Sequence, residues 1–113
     1  MNLKITLLPG DGIGPEITEA AVKLINIVSE RYNISTEFIT RLVGGASIDK
    51  FGVPLTEETL DACYEANAVL LGAVGGVQWE DLEHSKKPEA GLLKIHNSAC
   101  NAWMHSCRAA PWL

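Results

Sequence analysis

Leu8-Pro9-Gly10-Asp11-Gly12-Ile13-Gly14-Pro15-Glu16 stands between an apolar run and an amphipathic one, and the reading of this stretch decides the fold. Before it, Leu3-Lys4-Ile5-Thr6-Leu7-Leu8 is short, apolar and closed by Pro9-Gly10, which predicts a buried strand. After it, Pro15 suits the first turn of a helix, where a missing N–H costs nothing, and Glu16 sits where the positive end of the helix dipole favours an anion. That helix is expected to reach about Tyr32. Ile17, Ala20, Ala21, Leu24 and Val28 would form one apolar stripe, with Thr18, Glu19, Lys23, Asn26 and Glu30 facing away.

The same alternation continues outward. Residues 37–43 read as a second strand ended by Gly44-Gly45, followed by a loop carrying Asp49 and Phe51-Gly52. Leu55-Thr56-Glu57-Glu58 marks a helix start: Thr56 is the N-cap, two carboxylates fill the first turn and Leu55 is placed to staple onto Leu60. The helix should end near Ala66. Residues 68–74 are wholly apolar and bounded by Gly75-Gly76, as expected of a central parallel strand covered on both faces. Another helical pattern begins at Glu89 and reaches Ile95. The order predicts an α/β fold, a parallel-sheet core with flanking helices and right-handed crossovers.

Composition agrees and excludes several functions. At 113 residues, with 47% hydrophobic and 20% charged residues, the chain has material for one core and is neither disordered nor low-complexity. Nine Lys+Arg against fourteen Asp+Glu give a net charge of −5, and the one basic cluster is Lys86-Lys87, so no nucleic-acid partner is expected. No stretch approaches the ~20 apolar residues of a membrane span, and the amino terminus lacks a secretory signal. Three cysteines, an odd count, make a disulfide framework improbable. The expected compartment is the cytoplasm.

A glycine-rich turn between strand and helix invites a dinucleotide reading, because backbone N–H groups at a helix start can hold a pyrophosphate. The spacing here, Gly10-x-Gly12-x-Gly14, is not that fingerprint. Asp11 would put a carboxylate where phosphate should lie, and the second strand offers no acidic residue to a ribose hydroxyl. On spacing alone the glycines can equally serve a tight turn that passes close to its neighbours.

The whole string is more specific than its spacing. Residues 8–16, with Val43-Gly44-Gly45-Ala46-Ser47-Ile48-Asp49-Lys50-Phe51-Gly52-Val53-Pro54-Leu55 and Ala68-Val69-Leu70-Leu71-Gly72-Ala73-Val74-Gly75-Gly76, closely resemble the β-decarboxylating dehydrogenases. These are the isocitrate, isopropylmalate and tartrate dehydrogenases, and the resemblance covers residues 3–95. Pro88-Glu89-Ala90-Gly91-Leu92-Leu93-Lys94-Ile95 points to the isopropylmalate branch.

The resemblance implies NAD-dependent oxidative decarboxylation of 3-isopropylmalate in leucine biosynthesis, with Mg²⁺ or Mn²⁺ in the intact enzyme and a homodimer in the intact family. It implies cofactor contacts at Ile13, Gly75, Gly76, Val77, Gln78 and Glu89, and substrate contacts at Glu89, Leu92 and Leu93. Leu92 and Leu93 would offer an apolar wall to a branched alkyl group, and Glu89 would repel the extra carboxylate of isocitrate. The sequence departs from the family in three places. Val77-Gln78 replaces the usual Pro-Lys, His96 stands where the first clamp arginine belongs, and Ser106 lies near the second. Histidine lacks the planar five-donor fork that grips a carboxylate bidentately. The family's catalytic lysine and tyrosine and its metal-binding aspartates lie further along the family chain, so no catalytic or metal residue is assigned.

Composition changes at His96. Residues 96–113 hold six of the nine His, Cys and Trp residues: His96, Cys100, Trp103, His105, Cys107 and Trp112. The expected organisation is a partial N-terminal dehydrogenase domain over residues 1–95 and a divergent tail over residues 96–113 that is not part of the native fold. The resemblance leads to the expectation that such a chain would be the first third of a dehydrogenase of this family, with a change of reading frame, splice pattern or clone boundary near Ile95. Two other readings stay open. His96, Cys100, His105 and Cys107 could form a zinc module, although their spacing is unusual for one. The chain could also be a non-catalytic binding or interaction fragment.

Overall fold

A computed structural model describes the backbone of residues 1–107 and the side chains of residues 1–98. Three strands, β1 (Asn2–Gly10), β2 (Ser35–Thr40) and β3 (Ala68–Ala73), form a wholly parallel sheet in the order β2-β1-β3. Four helices accompany them: α1 (Gly14–Arg31), α2 (Gly45–Phe51), α3 (Glu57–Glu65) and α4 (Pro88–Cys107). The α/β class expected from the alternation is the class observed.

β1 lies in the centre, and its residues 5–8 are buried on both faces, which is why its sequence does not alternate. On one face Leu8, Val43, Leu55, Leu60, Cys63 and Ile95 close into a core, with Val69, Leu71 and Val74 packed against it. Ile95 thus docks α4 onto the sheet beside α3. Thr6 is fully buried, and its hydroxyl donates to the Ala62 carbonyl at 2.9 Å, so the polar atom in the sheet interior is satisfied. Thr56 caps α3 as expected, accepting from the Thr59 N–H at 3.2 Å. Leu55 and Leu60 share the core cluster, consistent with the staple.

The other face carries α1, and here one expectation is corrected. The residues of α1 that meet the sheet are small or polar: Gly14, Thr18 and Ser29 are buried, while Ile17, Leu24 and Val28 are 43%, 62% and 43% exposed. The physical reason is close approach. Thr18 Oγ1 would lie 2.8 Å from a methyl group at Gly72, so α1 rides directly on the β3 backbone and admits only compact side chains beneath it. The larger apolar residues are left on the flank of the helix.

Two further differences concern boundaries. β2 begins two residues earlier than the pattern suggested, and residues 45–51, read as a loop, form α2. The amides that start α2 are held by a side chain more than thirty residues away in sequence, a signal no local pattern carries. α4 continues from Ile95 through Cys107 as one helix. The side chains of Cys100, His105, Ser106 and Cys107, named above as zinc or clamp positions, lie outside the described residues, as does Trp112. No helix among the described residues is long and apolar enough to cross a membrane.

Candidate cofactor and substrate site

Asp11 organises the carboxyl end of the sheet. It is 5% exposed, and its carboxylate accepts three backbone N–H groups: Gly45 at 2.7 Å and Gly75 at 2.9 Å on Oδ2, and Ala46 at 2.7 Å on Oδ1. Its own N–H donates to the Ala73 carbonyl at 2.7 Å. One side chain therefore ties the β1–α1 turn to the start of α2 and to the bend after β3. This corrects the reading of Asp11 as a carboxylate in a phosphate position. The carboxylate does what an anion at a helix N-terminus would do, but it comes from the protein.

The bend itself is Gly75-Gly76. Gly75 has φ 105°, a left-handed conformation that side chains disfavour, and a methyl group there would lie 2.8 Å from Glu89 Oε1. The Glu89 carboxylate, in the first turn of α4, is therefore set against the bare backbone of the bend. Beyond it a single turn, Val77–Trp79, packs the buried Trp79 ring over Gly45, and Trp79 Nε1 donates to Asp49 Oδ1 at 3.3 Å. Asp11 and Trp79 fix the two ends of this loop to the same short helix.

Two hollows adjoin Glu89. One, of about 270 Å³, is lined by Gly76, Val77, Trp79, Glu80, Lys87, Pro88 and Glu89. The other, of about 510 Å³, is lined by residues including His84, Lys87, Glu89, Leu93, Lys94 and Asn97. Lys87 and Glu89 form the wall between them, a cation and an anion presented side by side. Lys94, on the rim, is partly engaged by an ion pair with Glu57 at 2.5 Å.

The expected contact residues are thus brought together unevenly. Gly76, Val77 and Glu89 line the smaller hollow, Gly75 lies against Glu89 just beside it, and Glu89 and Leu93 share the larger hollow. Leu93 is 54% exposed and Val77 78% exposed, so both present apolar surface. Gln78 is exposed on the turn but lines neither hollow. Leu92 is half-buried and Ile13, on the β1–α1 turn, is 60% exposed; neither lines a hollow. His96 is exposed on α4.

Sequence reasoning missed Asp11 and Lys87. In sequence Lys87 is only half of the Lys86-Lys87 cluster, yet it precedes the proline that opens α4 and is extended, with φ −70° and ψ 151°. A residue before proline is held in that region, which keeps Lys87 out of the helix, and it lines both hollows. Among the described residues no group of three or more His, Cys, Asp or Glu side chains could hold a metal ion.

The family model for isocitrate/isopropylmalate dehydrogenases matches residues 4–103. The 3-isopropylmalate dehydrogenase of Pseudomonas savastanoi pv. phaseolicola is 53% identical over 97 residues, 86% of this chain and 27% of the relative. That of Chlorobaculum tepidum is 53% identical over 95 residues, 84% of this chain and 27% of the relative. Among solved structures, the apo β-decarboxylating dehydrogenase of Thermococcus kodakarensis superposes with TM-score 0.64 at 27% identity, over 85% of this chain and 26% of that one. Isocitrate dehydrogenase of Methylococcus capsulatus gives TM-score 0.51 at 40% identity, over 70% and 23%. The chain spans about a quarter of the length of the curated relatives it matches.

Proposed function

Since the chain belongs to the isocitrate/isopropylmalate dehydrogenase family, we propose that it carries the specificity end of an NAD-dependent 3-isopropylmalate dehydrogenase, acting in the cytoplasm in leucine biosynthesis. The observation that carries this reading is the Glu89 carboxylate set against the Gly75 backbone, in a chain 53% identical to named 3-isopropylmalate dehydrogenases. In this reading residues 1–95 make the contacts, residues 96–113 do not, and the enzyme is a homodimer.

The residues present fit one end of a dinucleotide. A glycine pair has no side chain of its own to hold a flat ring off the backbone, Val77 offers exposed apolar surface next to it, and Ile13 is exposed on the β1–α1 turn. Gly75, Gly76, Val77, Gln78 and Ile13 would hold the nicotinamide end, with Glu89 at its edge. NAD, when bound, supplies the hydride acceptor for the substrate's carbinol carbon. Among the described residues no group of His, Cys, Asp or Glu side chains fits Mg²⁺ or Mn²⁺.

The chain's own residues act by selection. Leu93, with Leu92 behind it, gives a branched alkyl group an apolar wall and excludes water from it. Glu89 sets a like charge where isocitrate would bring its additional carboxylate, and discrimination then rests on repulsion as much as on fit. Lys87 offers a point charge to a substrate carboxylate from the shared wall.

His96, exposed where the family sets an arginine, favours a second reading in which the chain binds ligand without turning it over. Calorimetric titration in the presence of NAD⁺ tests the first. 3-Isopropylmalate should bind at least ~10-fold more tightly than isocitrate, corresponding to ~1.4 kcal/mol, and Glu89→Gln should narrow that ratio. Equal affinity for both acids, unchanged in Glu89→Gln, would remove the specificity assignment.

A further inference from the structure

At the carboxyl end of β2, where it meets α2 and α3, lies a hollow of about 260 Å³. Its charged lining is Arg41, Lys50 and Glu58, and its apolar lining is Leu42 and Phe51. It shares no residue with the hollows beside Glu89, and all its lining falls within residues 40–59, so one continuous segment of this chain builds it. Its volume lies below the ~300–1,000 Å³ of sites for drug-sized ligands, so its occupant is small.

The fold sets the shape of this hollow and leaves its charges underused. Thr56 Oγ1 donates to Thr59 Oγ1 at 3.1 Å, and Thr59 Oγ1 donates to the Leu42 carbonyl at 3.4 Å, which ties the start of α3 to the chain beyond β2. Both hydroxyl protons are spent within the protein, so recognition falls to the charged groups. Of the five N–H donors of the Arg41 guanidinium, Nη1 donates to the Thr40 carbonyl at 3.3 Å, Nη2 stands 3.7 Å from Glu58 Oε1, and Nε is buried without a partner. Most of its donor capacity is left over. Lys50 Nζ stands 5.3 Å from the centre of the Phe51 ring, which is itself 51% exposed.

We propose that this hollow binds a free α-amino acid with an apolar side chain. Such a molecule carries a carboxylate and an ammonium on one carbon atom, and Arg41 and Glu58 present the complementary charges side by side. The carboxylate meets the guanidinium and the ammonium meets Glu58, closing a ring of alternating sign. Lys50 brings a second cation to the carboxylate, and Leu42 and Phe51 receive the apolar side chain. The same charges reject simpler ligands: a bare anion meets repulsion from Glu58, and a bare cation meets it from Arg41 and Lys50. The Arg41–Glu58 pair is long and open to solvent, so it is weak by itself and yields to a ligand at little cost.

Titration of the ¹⁵N-labelled chain with L-leucine, a branched zwitterion, tests the assignment and is independent of NAD⁺. Saturable amide shifts should centre on Arg41, Phe51, Glu58 and Thr59, with Kd on the order of 1 mM. Three analogues each lack one recognised part: 4-methylpentanoate the ammonium, 3-methylbutylamine the carboxylate and glycine the apolar body. Each should bind at least ~10-fold more weakly. Arg41→Gln and Glu58→Gln should each weaken L-leucine at least ~5-fold, whereas Glu58→Gln should tighten 4-methylpentanoate, an inversion that simple loss of structure does not produce. Asp61→Asn, on α3 outside the hollow, should change neither. The absence of saturable shifts at tens of millimolar L-leucine overturns the proposal. So does 4-methylpentanoate binding as tightly as L-leucine, which would make the hollow a plain anion site, or L-leucine binding indifferent to Arg41→Gln and Glu58→Gln.

Discussion

Replacing Asp11 by asparagine keeps the shape of the side chain and removes one acceptor. Oδ2 holds two of the three amides, Gly45 and Gly75, and Oδ1 holds Ala46. The asparagine oxygen can keep the pair on Oδ2, so its NH₂ must then face the Ala46 N–H, donor against donor. The variant loses one charge-assisted bond and leaves a part-buried N–H unpaired, and each of these costs roughly 1–3 kcal/mol. The two remaining bonds also weaken as the charge goes. A net loss of about 3 kcal/mol follows. Asp11→Ala orphans all three amides, and its cost approaches the 5–15 kcal/mol that small domains have in total, roughly unfolding the chain. Urea unfolding with one m-value measures the first change, and amide exchange of the asparagine variant locates it: Ala46 loses protection while Gly75 keeps its own. A loss under about 0.5 kcal/mol, or equal deprotection of Gly75 and Ala46, would refute the account of Asp11 as the clamp of this loop.

Gly75→Ala places a methyl group against Glu89 Oε1 in a left-handed backbone. It should cost about 1–3 kcal/mol of stability and weaken NAD⁺ binding at least ~10-fold, read by denaturation and calorimetry. Thr56→Ala removes the cap of α3 and should cost about 1 kcal/mol in urea unfolding, whereas Thr56→Ser should be nearly neutral. Burial pushes the Cys63 thiol above its ordinary value of 9.0. The folded state therefore favours the protonated thiol, and its contribution is complete below pH 9 and fades as pH rises beyond it. Alkylation of Cys63 at pH 8, followed by peptide mass mapping, should be slower in the folded chain than in urea.

The parallel sheet was legible because β1 and β3 are short apolar runs closed by glycine, and because Thr56 and Pro15 punctuate the helices locally. The packing of α1 was not, because periodicity reports where apolar residues lie on a helix and not how near the helix comes to the strand beneath. Gly72 and Thr18 settle that distance, and neither is apolar. α2 escaped for a related reason: its first amides are held by Asp11, far off in sequence. At the site, the motif that named Glu89 and the glycine bend was readable, since these residues are contiguous with their signals. Lys87 was hidden by its charged neighbour, and Leu92 and Leu93, equal in sequence, are separated by the helix: Leu93 lines the hollow and Leu92 does not.

The most direct test of the site is a titration of the ¹⁵N-labelled chain with NAD⁺, followed through its backbone amide resonances. Saturable shifts should centre on Gly75, Gly76, Val77 and Glu89, and Gly75→Ala should abolish them. Shifts centred on α1 or the β2 edge, or none at millimolar NAD⁺, would contradict the claim that the bend after β3 receives the cofactor.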